Sequence, residues 1–402
     1  MAAKLKIENL TKVFGPTPEE GLRRLRSGES KAEIFEATGN TVGVRDASFE
    51  VEQGQIFVVM GLSGSGKSTL VRMLNGLIGP TGGSIVIDDQ DIARCSTATL
   101  RQVRREQVAM VFQHFALFPH MTVADNVAYG LKVKGVAPAE RRRRAEAALE
   151  QVGLAAYADS MPSELSGGMQ QRVGLARGLA TDPEILLMDE PFGALDPLIR
   201  REVQDELLRL QKALRKTIVF ITHDLNEALL LGDRIAIMKD GEIVQIGSAQ
   251  EIVDNPANDY VRAFVADIDR GRVFTAETVA DEPVLLQLGT DTAETAVQNM
   301  EDANRGALYV LDGEEIAGVV TYQDALAAVR DEAATLADAI QPEFPTAEPG
   351  AALHEIYGAA STGLPIALTD DNNRLVGVVE PQAVLAQLSG ESGAPNGASD
   401  KE

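Results

Sequence analysis

The stretch "GLSGSGKST", Gly61–Thr69, follows the apolar run "IFVVM", Ile56–Met60, without a spacer and leads straight into "LVRMLNGL". Few architectures accept that succession. A short run of apolar residues reads as a strand buried on both faces, as in a parallel sheet. The turn after it, G-x-x-x-x-G-K-[ST], opens a helix whose first N–H groups have no partner inside the helix. Gly61, Gly64 and Gly66, with the small Ser63 and Ser65, let those N–H groups close around phosphates. Lys67 adds a point charge for the β and γ phosphates, and the Ser68 hydroxyl, beside Thr69, can ligate Mg2+. An α/β chain that binds a nucleoside triphosphate with Mg2+ is expected.

Three more apolar runs extend the sheet: Ile185–Asp189, Thr217–Thr222 and Arg234–Met238. Between Ile92 and Arg177 the pattern turns largely helical, with "AERRRRAEAALEQVGL" the clearest amphipathic helix and Arg141–Arg144 its solvated face. The run that ends in Asp189 sets a carboxylate at the carboxyl edge of the sheet, where it can hold Mg2+. Glu190 follows at once, and a second carboxylate there can orient and deprotonate an attacking water. A second small-residue turn into a helix, "LSGGMQQRVGLARGLA" at Leu165–Ala180, also suits an anion. It lies about a hundred residues from the first, which is far for two turns serving one nucleotide.

Gln113 in "VAMVFQHFALFPHMTV", the "LSGGM" turn, "ALD" at Ala194–Asp196 and His223 in "VFITHD" complete an ordered set with the two motifs above. Over residues 4 to about 255 this set resembles the nucleotide-binding subunits of ABC transporters, so the resemblance implies a P-loop ABC-type ATPase domain with a helical subdomain. It also explains the second turn. In that family two copies pair head to tail, and Ser166, Gly167 and Gly168 of one copy would close on the ATP held by the other. Asp196 would contact the partner's phosphate loop, Gln113 would sense Mg2+ and the attacking water, and His223 would hold the γ-phosphate. Phe14 matches the aromatic that stacks on adenine. Met169 departs from the Gln commonest after the second glycine, and His114, His120 and His354 match no functional position.

From Thr275 onward 23 acidic residues face 4 basic ones, within a total formal charge of −23. The preceding residues are nearly balanced, which marks two modules in different surroundings. In the acidic part, Ala307–Val329 lies over Pro365–Leu388 as a weak repeat: strand, turn, a strand carrying "GVV", helix. The pair resembles tandem CBS domains, an α+β regulatory module. Thr321 and Asp324 of the first copy are a hydroxyl and a carboxylate spaced to meet a ribose; Glu380 and Ala383 stand at the matching places of the second. The expected domains are 1–270, with an inserted segment at 15–43, then 275–334, 335–391 and a polar disordered tail at 392–402.

The inserted segment and the CBS pair narrow the resemblance to ATP-binding subunits of glycine betaine/proline importers, the ProV type. It implies an integral membrane permease and a substrate-binding protein as partners, a second copy of the chain, and a peripheral place on the cytoplasmic face of the inner membrane. The single cysteine, Cys95, excludes an internal disulfide and fits a reducing compartment. No apolar run approaches the ~20 residues of a spanning helix. A chromosome or DNA-repair ATPase with the same head would need long coiled coils or zinc modules between Lys67 and Asp189, where this chain has about 120 residues. The acidity also opposes nucleic acid as a partner. An importer for choline or an amino acid is the nearest alternative, since the solute is chosen by subunits other than this one.

Overall fold

The computed structural model describes residues 3–113, 115–331 and 335–390, so His114 and the 392–402 tail lie outside the described residues. The chain divides into two compact units between Ala266 and Asp267.

The first unit opens with β1 (Ala3–Phe14), breaks off into two short helices, α1 (Pro18–Arg26) and α2 (Lys31–Thr38), and resumes as β2 (Thr41–Glu52). Next come β3 (Ile56–Met60), α3 (Lys67–Leu74), β4 (Gly82–Ile87), β5 (Gln90–Asp91), α4 (Thr97–Glu106) and β6 (Val108–Val111). Three helices follow: α5 (Val123–Val133), α6 (Pro138–Gln151) and α7 (Gly167–Ala180). The unit ends as β7 (Ile185–Asp189), α8 (Pro197–Leu214), β8 (Thr217–Thr222), α9 (Leu225–Leu231), β9 (Arg234–Lys239), β10 (Glu242–Gly247), α10 (Ala249–Asp254) and α11 (Asp259–Val265).

Six strands form one sheet in the order β10-β9-β3-β8-β7-β6, parallel except for β10. Its central strands are apolar throughout because each serves two cores. Ile56, Val58 and Met60 enter a cluster with the helices α5–α7, whereas Phe57 and Val59 enter another with β1, β2, β4 and α3. Pairing of Met60 with Thr222 and of Ile221 with Asp189 brings three carboxyl ends level. That edge is where ligands of parallel α/β sheets gather. The solvated-face reading of Arg141–Arg144 holds for Arg143, which pairs with Glu140 within the helix; Arg144 instead donates to the Ala180 carbonyl, closing the C-terminus of α7.

Residues 15–43 are a helical hairpin with its own small core of Val13, Leu22, Leu25, Ile34 and Val42. The buried Asn40 side chain accepts from Thr17 N–H and donates to its carbonyl, so the hairpin leaves and returns at one point. The interruption therefore does not disturb the pairing of β1 with β2, in which Phe14 lies opposite Thr41.

The second unit begins with α12 (Arg270–Val273) and contains two copies of one motif. The first comprises β11 (Leu285–Gln287), α13 (Ala293–Ala303), β12 (Ala307–Asp312), β13 (Glu315–Thr321) and α14 (Tyr322–Arg330). The second comprises β14 (Thr346–Ala347), α15 (Leu353–Ala360), β15 (Ile366–Thr369), β16 (Leu375–Val379) and α16 (Pro381–Ser389). In each, a parallel strand precedes an antiparallel hairpin. The copies exchange their leading segments. Asp281 pairs with Val378 of the second copy, and Gln341 with Val319 of the first. Tyr309 is buried where the two sheets meet, and its hydroxyl donates to the Pro365 carbonyl at 2.6 Å.

Candidate functional site

The phosphate turn is built by its glycines. A Cβ on Gly61 would stand 2.2 Å from the Met238 carbonyl oxygen, and one on Gly66 2.5 Å from that of Gly43. Gly64 has open space around it, and its φ of +82° is what requires glycine. Ser65 Oγ is buried inside this turn and has no hydrogen-bond partner among the described residues. Ser63 is exposed at its rim, and Gly66 caps α3, leaving the N–H groups of Lys67, Ser68 and Thr69 at a helix start. The Lys67 ammonium is buried and donates to the Gly61 and Leu62 carbonyls at 2.7 and 3.0 Å. Burial lowers its pKa, opposed by the carboxylates of Glu190 and Asp189. A polyphosphate fits such a cradle: backbone donors, one cation and, at Gly61 and Gly66, no room for a Cβ.

Asp189 ends β7, is 4% exposed, and takes Ser68 Oγ at 3.3 Å and Arg72 Nη2 at 3.2 Å. Among the described residues no three of His, Cys, Asp and Glu cluster as a metal site. A hydroxyl and one carboxylate side by side instead suit Mg2+, which keeps waters and shares phosphate oxygens. Glu190 turns away from the strand through a left-handed backbone, φ 46°. Its Oε2 receives Gln113 Nε2 at 3.3 Å and lies 3.1 Å from His223 Nδ1. Two residues from separate loops thus converge on one oxygen of the Glu190 carboxylate.

Ser166 caps α7, its hydroxyl oxygen accepting from the Met169 N–H. The Gln-to-Met departure leaves that cap intact, because the backbone makes the bond. Asp196 caps α8 in the same manner through Ile199 N–H. The two helix starts touch: a Cβ on Gly168 would lie 2.1 Å from Ile199 Cγ2, and one on Gly167 3.8 Å from Leu195 Cδ2. Phe14 is 39% exposed at the end of β1, beside Gly43, whose carbonyl in turn abuts Gly66. The ring therefore stands at the edge of the phosphate turn, with Lys12 Nζ 5.1 Å from its centre. In the second unit Thr321 caps α14 and donates to Asp324 Oδ2 at 2.6 Å; the same oxygen accepts from Gln341 at 2.7 Å. At the matching place Glu380 pairs with Arg305 at 2.9 Å. His120 is exposed, and His354 Nδ1 lies 3.1 Å from the Gly271 carbonyl oxygen.

Two basic residues at the site escaped the sequence reading. Arg72 stands one turn after Ser68, and that i, i+4 spacing was the available signal. Arg177 is the one charge in the second half of α7, Gly174–Ala180, a pattern that marks a cation with a fixed partner.

Comparison with known proteins agrees with this geometry. Residues 44–193 match the family model described as ABC transporter, and 280–331 match that described as CBS domain. The glycine betaine/proline betaine transport system ATP-binding protein ProV of Salmonella typhimurium is 49% identical over 98% of this chain and 99% of its own length. The glycine betaine/carnitine transport ATP-binding protein GbuA of Listeria monocytogenes is 47% identical over 96% and 98%. A solved dimeric structure of the ATP-binding cassette MJ0796, bound to ADP and Pi, matches with a TM-score of 0.52 at 33% identity, covering 61% of this chain and 98% of the other. With near-complete coverage at nearly half identity, this chain belongs to the ProV family of ABC transporter ATP-binding subunits.

Proposed function

We propose that this chain hydrolyses Mg-ATP as a head-to-tail pair of copies and so powers import of glycine betaine and proline betaine through a membrane permease, with a substrate-binding protein delivering the solute. The convergence of Gln113 and His223 on Glu190, beside the phosphate turn, carries the hydrolytic reading. The solute follows from the names of full-length relatives.

Lys67 and the N–H groups of the turn bind the phosphates, Phe14 takes the adenine face, and Ser68 and Asp189 hold the metal with Gln113 near it. Mg2+, when bound, supplies neutralisation of the phosphate charge that builds during transfer. Glu190 accepts the proton of the attacking water. His223 and Gln113 hold its carboxylate in place, so little reorganisation is needed as charge develops. Ser166, Gly167, Gly168 and Asp196 serve the partner's nucleotide, so neither copy completes a site alone. Among the described residues no helix is long and apolar enough to cross a membrane; a peripheral place on a permease at the cytoplasmic face is supported by the full-length relatives, named as ATP-binding proteins of transport systems. The C-terminal pair regulates the ATPase. Its Thr321 and Asp324 already bond each other and Gln341, which weighs against a nucleotide contact there.

The test is Glu190→Gln in the complex reconstituted with its permease. ATP binding is retained, hydrolysis falls by about two orders of magnitude or more, and ATP shifts the isolated subunit to a dimer in sedimentation. A monomer with ATP, or hydrolysis at the wild-type rate, overturns the assignment. Uptake of choline or an amino acid in place of betaines reassigns the solute and leaves the hydrolytic reading standing.

A further inference from the structure

We infer that Arg177 is a positioning residue: its guanidinium clamps the two residues after the Gln113–His114 pair and thereby keeps Gln113 in reach of Glu190. This rests on the catalytic reading proposed above.

Arg177 lies on α7, and Nη1 donates to the Ala116 carbonyl at 2.6 Å while Nη2 donates to that of Phe115 at 2.9 Å. A planar fork suits two successive carbonyls in a way that a single ammonium does not. Those two carbonyls belong to an unusual pair. Phe115 and Ala116 have φ of 59° and 49°, the left-handed region that side chains disfavour. Consecutive strained residues persist where the surroundings over-determine them, and such strain gathers at functional sites. Here the surroundings include the Arg177 fork, which holds both carbonyls, and the packing of the Phe115 side chain on the core of the first unit.

The guanidinium has no carboxylate partner among the described residues, and burial pushes its pKa down. A half-buried cation whose hydrogen bonds, among the described residues, go to main-chain carbonyls alone carries a desolvation cost. That cost is spent on the loop that presents Gln113. The same helix begins at Ser166, on the turn proposed to face the partner's nucleotide. One rigid element therefore joins the neighbour's phosphate to this copy's Gln113. A displacement of α7 at its first turn would reach Gln113 through Arg177 without passing through the sheet.

The experiment uses the full chain and reads ATPase kcat, KM for ATP and melting temperature. Arg177→Lys keeps the charge and loses the fork. Its kcat is expected to fall by about tenfold, short of the ~10²-fold that a 1 Å misplacement can cost, with KM within about twofold of wild type. Adding Ala116→Gly relieves the left-handed strain at an exposed position and should restore about a third or more of the lost rate. Ala116→Pro forbids the left-handed φ from the loop side and should lower kcat with KM within about twofold of wild type. It decides the matter should Arg177→Lys fail to fold. Wild-type kcat in Ala116→Pro overturns the proposal. So does wild-type kcat in a folded Arg177→Lys, or a joint fall of kcat and melting temperature that Ala116→Gly does not repair. Hydrolysis surviving in Glu190→Gln would instead remove the catalytic reading beneath it.

Discussion

Glu190 shows how much of the site is written in residue types and how much is not. An acid pair after a buried strand, in a chain with a phosphate turn, was readable as metal ligand and base. The left-handed turn at Glu190 that separates the two carboxylates was not, because backbone strain has no residue signature outside glycine and asparagine. Arg177 was missed for the opposite reason: its partners are main-chain carbonyls, which no side-chain pattern announces. Glycine is more legible. Gly168 was read from its motif, and the geometry supplies a second reason, since a Cβ would collide with Ile199 Cγ2 at 2.1 Å. Gly168→Ala should therefore destabilise the chain by about 1–3 kcal/mol through overpacking. Ile199→Ala in that background should recover part of the loss, whereas separate effects would simply add. Thermal unfolding of the four chains of the cycle measures the coupling. Additive losses would show that Gly168 answers to the nucleotide rather than to α8.

At the scale of elements, the strands of the six-stranded sheet were legible because each must feed a core on both faces. The segment 15–43 was legible as an interruption but not as a helical hairpin, because few apolar residues serve its small core. The β6 edge strand, Val108–Val111, was lost within a stretch that reads as helical. The loop from Phe115 to Thr122 is where an element's role can be separated from its packing. Phe118 is half-buried against Tyr129, with ring centres 4.6 Å apart, and its backbone is held by the fully buried Asn126, which accepts from Phe118 N–H at 2.7 Å. Phe115 packs instead against the large core of the first unit. The aromatic pair, similar in sequence, thus divides. Phe118→Ser should keep the loop in place and, where this loop docks on the permease, lower transport per ATP hydrolysed. Phe115→Ser should lower hydrolysis as well, with a loss of stability of about 2–4 kcal/mol for the emptied site. Uptake and hydrolysis measured together in proteoliposomes separate the two. Equal falls of both activities in Phe118→Ser would make it a packing residue.

Over the whole molecule the charge is divided as the two units are. Nineteen of the 23 net negative charges belong to Thr275 and the residues after it. Within the second unit, Asp324, Asp331 and Asp338 line one shallow cavity of about 380 Å³. Repulsion among such carboxylates, and between them and an anionic membrane surface, weakens as salt rises: the Debye length shrinks from ~10 Å at 0.1 M to ~3 Å at 1 M. Both terms have one sign, favouring close approach of the acidic unit to its neighbours when the surroundings are concentrated. A subunit that drives betaine uptake has use for such a response. Acidity that served solubility alone would be spread over both units, yet the first is almost neutral. Transport-coupled ATPase should therefore rise with KCl in the full chain, while a chain ending near Ala266, where the two units divide, should lose most of that rise. Titrations of both chains in liposomes of fixed anionic lipid content give the midpoint and steepness. The same midpoint and steepness in the two chains would place the response in the first unit or the permease, and the acidic unit would no longer be the sensor.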